Sequence, residues 1–227
     1  MIFQEYSPFK EKILLKRKSI FLPAMFFLLA CGENRQNNLP ENRPKEKTTP
    51  TWVSFSVKSR AELKNYRVVL KTSLGDIELE FFPDVAPVHV RAFLQLSQLG
   101  FYDHTAWHRV VRNFVIQGGD LGTRRPPLEI QEYESAVHPI QPEFSRLKHV
   151  AGTLSMAHGD KPGSALTSFF ICLAPQPKLD NQYTIFGKVY SGMETVNKIA
   201  SVPTGKNSQP RERIELIQAQ VLEIGRR

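Results

Sequence analysis

The chain has 227 residues, 41% of them hydrophobic, and a formal net charge of +8 at pH 7. That is room for one domain of roughly 150 residues plus extensions, with enough apolar matter for a core. The cations are scattered, with no basic stripe interleaved with aromatics, so no nucleic-acid partner is expected. Two cysteines, Cys31 and Cys172, are too few for a disulfide-built fold.

The chain opens with a leader. Lys10, Lys12, Lys16, Arg17 and Lys18 outnumber Glu5 and Glu11, and the apolar run Ser19 to Ala30 follows. That run is too short to cross a bilayer core of about 30 Å as a helix but suits the h-region of a signal peptide. Leu28-Leu29-Ala30-Cys31 resembles the lipobox of bacterial lipoproteins, although Leu29 stands where a smaller residue is commoner. The resemblance implies a signal peptide over 1–31, lipidation at Cys31, and a lipid anchor in a membrane of the bacterial cell envelope, on its periplasmic or outer-surface side. An ordinary secretory signal cleaved nearby is the other reading. Residues 32–64 are rich in Asn, Pro, Lys, Glu and Thr. Such a stretch buries little and reads as a flexible tether.

The folded domain is expected over 65–227. Tyr66 to Lys71 and Asp76 to Phe81 flank Thr72-Ser73-Leu74-Gly75, and the second run alternates acidic with apolar residues, so the pair reads as a hairpin. Pro87 suits the first turn of a helix over Val88 to Leu99, which Gly100 ends. Two short strands lead to Gly119, and Gly122 to Glu143 reads as a long, proline-rich loop. Gly152 to Ala157, Ser168 to Leu173 and Thr184 to Tyr190 read as strands, Met193 to Ala200 as a second helix, and Ile214 to Ile224 as a closing strand. Many strands with two helices predict a mainly β fold, a closed antiparallel barrel capped by the helices. Cys172, in Phe169-Phe170-Ile171-Cys172-Leu173, reads as a buried small hydrophobe.

The chemistry concentrates in Trp107-His108-Arg109-Val110-Val111-Arg112-Asn113-Phe114-Val115-Ile116-Gln117-Gly118-Gly119-Asp120. Strict alternation puts Arg109, Val111 and Gln117 on one face and Phe114 on the other, so a bend near Arg112–Asn113 must re-aim the aromatic. One cation, one amide and one ring among apolar residues contain no nucleophile and no acid–base pair. They suit chemistry that needs only a polar bond gripped and dried, such as rotation about a peptide bond.

This run resembles a cyclophilin, together with Gly152-Thr153-Leu154-Ser155-Met156-Ala157, Phe169-Phe170-Ile171 and Leu179-Asp180-Asn181-Gln182-Tyr183-Thr184-Ile185-Phe186-Gly187-Lys188-Val189. The resemblance covers roughly 66–224. It implies an eight-stranded barrel with a helix over each end, and peptidyl-prolyl cis–trans isomerase activity on proline-containing polypeptides at a site on the outer barrel face. It implies Arg109, Gln117 and Phe114 as catalytic residues. Val115, Ala157, His158, Phe170, Leu179 and Tyr183 are implied as substrate-binding residues. No cofactor or metal is expected, and members with a lone domain act as monomers. A non-catalytic module that grips proline-containing segments at the envelope is the alternative reading. Retention of Arg109 speaks against it, since a mere binder needs no cation over the bond.

Three positions depart from the family pattern. Lys178 stands where a tryptophan lines the cyclosporin site, so weak drug binding is expected. Ser168 replaces a glutamine that supports the arginine. Leu121-Gly122-Thr123-Arg124-Arg125-Pro126-Pro127 lacks the usual glycine-rich run. Two further groupings invite other chemistry. His104 and His108 stand four apart, but the segment reads as loop entering strand, so each is expected to be structural. Ser155, His158 and Asp160 suggest a hydrolase, yet Ser155 lacks the G-x-S-x-G elbow, and a strand would point Ser155 and His158 to opposite faces.

Overall fold

The computed structural model describes residue 55 and residues 58–225. The leader, Cys31 and most of the expected tether lie outside the described residues. The tether's last part does not behave as one. Ser59 caps a single helical turn, α1 (Arg60–Leu63), in a reciprocal box with Glu62. Phe55 and Leu63 are buried in the main core. These two apolar side chains are enough to seat a segment whose average composition is polar.

The strands are β1 (Tyr66–Thr72), β2 (Gly75–Phe81), β3 (Thr105–Ala106), β4 (Arg109–Val111), β5 (Val115–Gly118), β6 (Thr153–Met156), β7 (Phe169–Cys172), β8 (Ile185–Ser191) and β9 (Glu215–Glu223). They form one sheet in the order β3-β9-β1-β2-β8-β6-β7-β5-β4, with every pairing antiparallel. The two end strands are separated in sequence only by Trp107 and His108, a reach of about 10–11 Å even when extended. The sheet therefore curls, bringing its two end strands near one another at that corner, where they are not hydrogen-bonded as a pair. Eight strands were expected and the described residues form nine, the short β3 and β4 flanking the corner as separate strands.

Helix α2 (Pro87–Gln98) starts with Pro87 and lays Val90, Phe93 and Leu94 against the core, packing on β8 and β9. Its N-cap, Ala86, has no side chain to offer. The cap comes instead from Glu143, whose carboxylate accepts from the N–H groups of Val88 and His89 and meets His89 Nδ1 at 2.7 Å. The expected long loop is thus pinned to the helix. It also contains a short helix that the proline-rich composition hid, α3 (Ile130–Ala136). Helix α4 (Met193–Ser201) packs against β2 and β5. Inside the curl, Phe93 meets Tyr102, Phe169 and Phe186 with centroids 4.9, 5.3 and 5.3 Å away. Such aromatic contacts make the interior a packed core rather than a channel.

Candidate active site

The expected bend at Arg112–Asn113 is a full reversal. Strands β4 and β5 form a hairpin in which Arg109 faces Gln117 and Val111 faces Val115. Asn113 takes a φ of 58° in the turn, a conformation asparagine tolerates better than most residues. The reversal swings Phe114 back toward Arg109, whose guanidinium carbon lies 5.8 Å from the ring centre.

The ladder continues sideways. Gln117 faces Phe170 on β7, and Phe170 faces Ser155 on β6. Arg109, Gln117, Phe170 and Ser155 therefore form one row across four strands, on one face of the sheet. Their neighbours Ile116, Phe169, Ile171, Leu154 and Met156 point into the main core. The outward set makes a second, separate apolar cluster of Val115, Ala157, Phe170, Cys172, Leu179 and Tyr183, with Phe114 packed against it. Leu179 comes from the turn Pro177–Leu179 and Tyr183 from the approach to β8. The residues expected to hold proline are thus brought together on the outer face.

Polar groups border this cluster. Gln117 is buried, and its Oε1 has no hydrogen-bond partner among the described residues. A buried acceptor left open costs about 1–3 kcal/mol, so it suits a site that a ligand completes. Burial lowers the proton affinity of the Arg109 guanidinium, and the Tyr183 phenol opposes that. Burial raises the Tyr183 phenol, and Arg109 opposes that in turn. The pair remains one cation beside one neutral phenol, and the cation is the part that can respond to charge developing on a ligand.

Two histidines brace the site. The His158 ring is occupied, with Nδ1 2.7 Å from the Gly159 carbonyl and Nε2 2.9 Å from the Gln182 carbonyl, and it stacks on Tyr183. It braces the site rather than presenting a ring nitrogen to a ligand. The histidine that reaches Ser155 is His149, not His158. His149 Nε2 is 3.2 Å from Ser155 Oγ, and its Nδ1 is 3.0 Å from Asp180 Oδ1. Ser155 is fully buried and its hydroxyl lies 2.8 Å from the Thr184 carbonyl, so this Ser–His–Asp geometry is sealed beneath the cluster and has no access to a substrate. No spacing rule in the sequence signals it, because the three residues come from three different segments.

The remaining positions have structural roles. His104 pairs with Glu215 at 2.9 Å, and burial makes His108 harder to protonate. Burial pushes the Cys172 thiol up to about 12, leaving it an inert apolar filler. After Gly119, Asp120 caps the turn Leu121–Thr123, and Thr123 Oγ1 accepts from the Ala106 N–H. A capped turn thus replaces the missing glycine-rich run. Ser168 is buried, and its carbonyl accepts from the Ala157 N–H. Lys178 is exposed, next to Leu179.

Comparison with known proteins agrees with this geometry. The family model "Cyclophilin type peptidyl-prolyl cis-trans isomerase/CLD" matches residues 67–221. Peptidyl-prolyl cis-trans isomerase CYP23 of Arabidopsis thaliana is 43% identical over 169 residues, covering 73% of this chain and 75% of that protein. A peptidyl-prolyl cis-trans isomerase of Acinetobacter baylyi is 36% identical over 172 residues, covering 71% and 88%. The crystal structure of a Cryptosporidium parvum cyclophilin in the presence of the dipeptide Ala-Pro superposes with a TM-score of 0.60 at 32% identity, covering 70% of this chain and 99% of that one.

Proposed function

The chain belongs to the cyclophilin-type peptidyl-prolyl cis–trans isomerases and is an isomerase of X-Pro peptide bonds, and from that premise we propose which residues perform the rotation and where the protein works. Amide resonance sets a barrier of about 18–20 kcal/mol, and the uncatalysed rotation takes tens to hundreds of seconds. A millionfold acceleration needs about 8 kcal/mol of transition-state stabilisation. A charged hydrogen bond contributes only about 1.5–3 kcal/mol, so one arginine does not suffice.

The outer cluster supplies what Arg109 lacks. Val115, Phe170, Leu179 and Phe114 hold the proline ring and exclude water, which strengthens every charge interaction beside them. Gln117 and the backbone around Ala157 anchor the flanking chain, so that only one side of the bond swings. As the bond twists, resonance is lost and the proline nitrogen gains a lone pair. A guanidinium aimed at that nitrogen binds the twisted form better than either planar isomer. Arginine suits the task because its donors are rigidly arrayed and always charged. The observation that carries this reading is the row Arg109–Gln117–Phe170 beside an apolar cluster separate from the main core.

The test is isomerisation of an Ala-Pro peptide by the purified protein and by Arg109→Ala. The variant is expected to lose at least about tenfold in kcat/KM, equivalent to roughly 1.4 kcal/mol. Equal rates would remove Arg109 from catalysis.

The setting follows from the leader. A signal sequence ending at Cys31 supports a lipid-anchored isomerase of the cell envelope, acting as a monomer on exported polypeptides. In cells, Cys31→Ser is expected to abolish lipid labelling and release the protein from the membrane fraction. Labelling that persists in Cys31→Ser would place the anchor elsewhere.

A further inference from the structure

We propose that the outer edge of β9 is a docking surface for a second polypeptide: an extended segment bearing a lysine or arginine adds to Ala219–Glu223 as a further strand, with its cation against Asp103. This surface lies apart from the proline site, which β4 to β7 carry, and the inference does not depend on that site. Strand β9 pairs with β1 from Leu216 to Glu223 but with β3 only at Glu215 and Leu216. Past Leu216, one edge of β9 has no neighbouring strand among the described residues.

Backbone polar groups along a strand point to its two edges in turn. The Ile224 N–H donates to the Asn65 carbonyl at 2.7 Å, so even-numbered residues bond on the β1 side. On the other side the Ile217 carbonyl accepts from the His104 N–H at 3.3 Å, and the Ala219 N–H donates to Asp103 Oδ1 at 2.9 Å. Odd-numbered residues therefore face away from β1. Val221 presents both its N–H and its C=O there, between the Ala219 carbonyl and the Glu223 N–H, and none of these four groups meets a partner among the described residues. A groove of about 340 Å³ lies along this edge, lined by Ala219, Val221 and Glu223 and by Phe55, Gly100 and Asp103 from outside the strand. Edges that avoid pairing carry lysine, proline or a bulge. Residues 219–223, Ala-Gln-Val-Leu-Glu, have neither residue, and the register shift with β1 falls earlier, opposite Lys71 and Thr72.

Charge selects the occupant. In a chain of net charge +8, no lysine, arginine or histidine lines this groove. The carbonyl end of α2, at Gln98, does line it and adds partial negative charge. Lys58 lies over the Tyr66 ring, 5.0 Å from its centre, and is already attracted to Glu223. Asp103 has no cationic partner among the described residues, so it is the acid left to recognise one. A second copy of this chain, pairing through its own β9 edge, would set one acidic groove against another, and like charges across a strand pair are destabilising. The occupant that fits is a different polypeptide with a basic side chain. Its main chain supplies the bonds to Val221 and its neighbours, and its cation supplies the selectivity at Asp103.

The probe is the peptide acetyl-Thr-Val-Lys-Val-Thr-amide, which has no proline, beside its counterpart with glutamate for lysine. Binding to the purified protein is followed by 1H–15N NMR and amide hydrogen exchange. In the free protein the N–H groups of Val221 and Glu223 are expected to exchange quickly, and those of Gln220 and Leu222, which face β1, slowly. The lysine peptide is expected to shift the amides of 219–223 with a dissociation constant below about 1 mM and to slow exchange at Val221 and Glu223 by at least about tenfold. It should bind about fivefold tighter than the glutamate peptide. Asp103→Asn, whose side-chain oxygen still accepts from the Ala219 N–H, is expected to bind the two peptides alike. Val221→Pro removes only the N–H on the free edge, where a strand tolerates proline, and is expected to abolish binding while both variants isomerise an Ala-Pro peptide at the wild-type rate. The wild-type and Asp103→Asn measurements stand whether or not Val221→Pro folds. Four results would each overturn the proposal: slow exchange at Val221 and Glu223 before peptide is added, which would mean that this chain or a second copy already covers the edge; no shift at 219–223; shifts at Gln117 and Phe170 instead; or equal wild-type affinity for the two peptides.

Discussion

His149 lies nearly parallel to Phe170, with ring planes 17° apart and centroids 6.0 Å apart. One ring thus backs the wall of the proline pocket while its two nitrogens reach Ser155 and Asp180 on other segments. Three pieces of the site are fastened by one side chain that no substrate touches.

Replacing that side chain tests the fastening. His149 is almost fully buried, so His149→Ala leaves a cavity behind Phe170 and strips partners from Ser155 and Asp180. The expected cost is about 2–4 kcal/mol, lowering Tm by about 6–12 °C in a domain of this size. Scanning calorimetry reads it directly, and an unchanged Tm would mean the packing contributes nothing.

Asp180 links the same site to acid stability. The His149 backbone N–H holds its carboxyl down, against burial and with help from the His149 ring and Lys148, to about 2 from an ordinary 3.8. A carboxyl depressed in the folded state stabilises above its unfolded value and loses that contribution as pH falls through the folded one. The urea midpoint of the wild-type protein is therefore expected to exceed that of Asp180→Asn from neutral pH down to about 4, and the gap should close toward about pH 2. A gap independent of pH would show that the charge is not what Asp180 contributes.

Glu143 is half-buried and is expected to matter through two partners at once. It caps α2 and is the partner of the buried His89 ring. Burial opposes its ionised form, but the His89 ring and the N–H groups of His89 and Val88 more than reverse this, so its carboxyl stays below the usual range. Glu143→Ala removes a helix cap and orphans a buried ring nitrogen, at an expected cost of about 1–3 kcal/mol in urea titration. Glu143→Gln, which keeps acceptor capacity, should recover part of it.

Gly119 follows the last residue of the catalytic hairpin with a φ of 77°, and a Cβ there would approach the Thr167 carbonyl and a Phe169 ring carbon, each at 2.7 Å. Gly119→Ala therefore combines a left-handed backbone with overpacking, for an expected loss of about 2–4 kcal/mol. Circular dichroism melts of the variant would expose it, and a melt that matches the wild type would contradict the geometry.

Much of this molecule is legible before any coordinates. The alternation in Asp76 to Phe81, Pro87 at a helix start, Met193 to Ala200 and the long last strand all appear close to where residue patterns place them. Periodicity and start signals are local, and local physics decides them. Arg109, Gln117 and Phe170 are legible for a different reason. Their motifs resemble a family, while composition alone would leave Arg109 an ordinary surface cation.

What residue order could not decide was which distant groups meet. Glu143 caps a helix more than fifty residues earlier in the chain, His149 rather than His158 finds Ser155, and Phe55 and Leu63 draw a polar stretch into the core. Each depends on how a curled sheet stacks segments that the chain keeps apart. Alternation along a strand sets which side chains point outward, but only the register between strands puts a cation, an amide and a ring side by side.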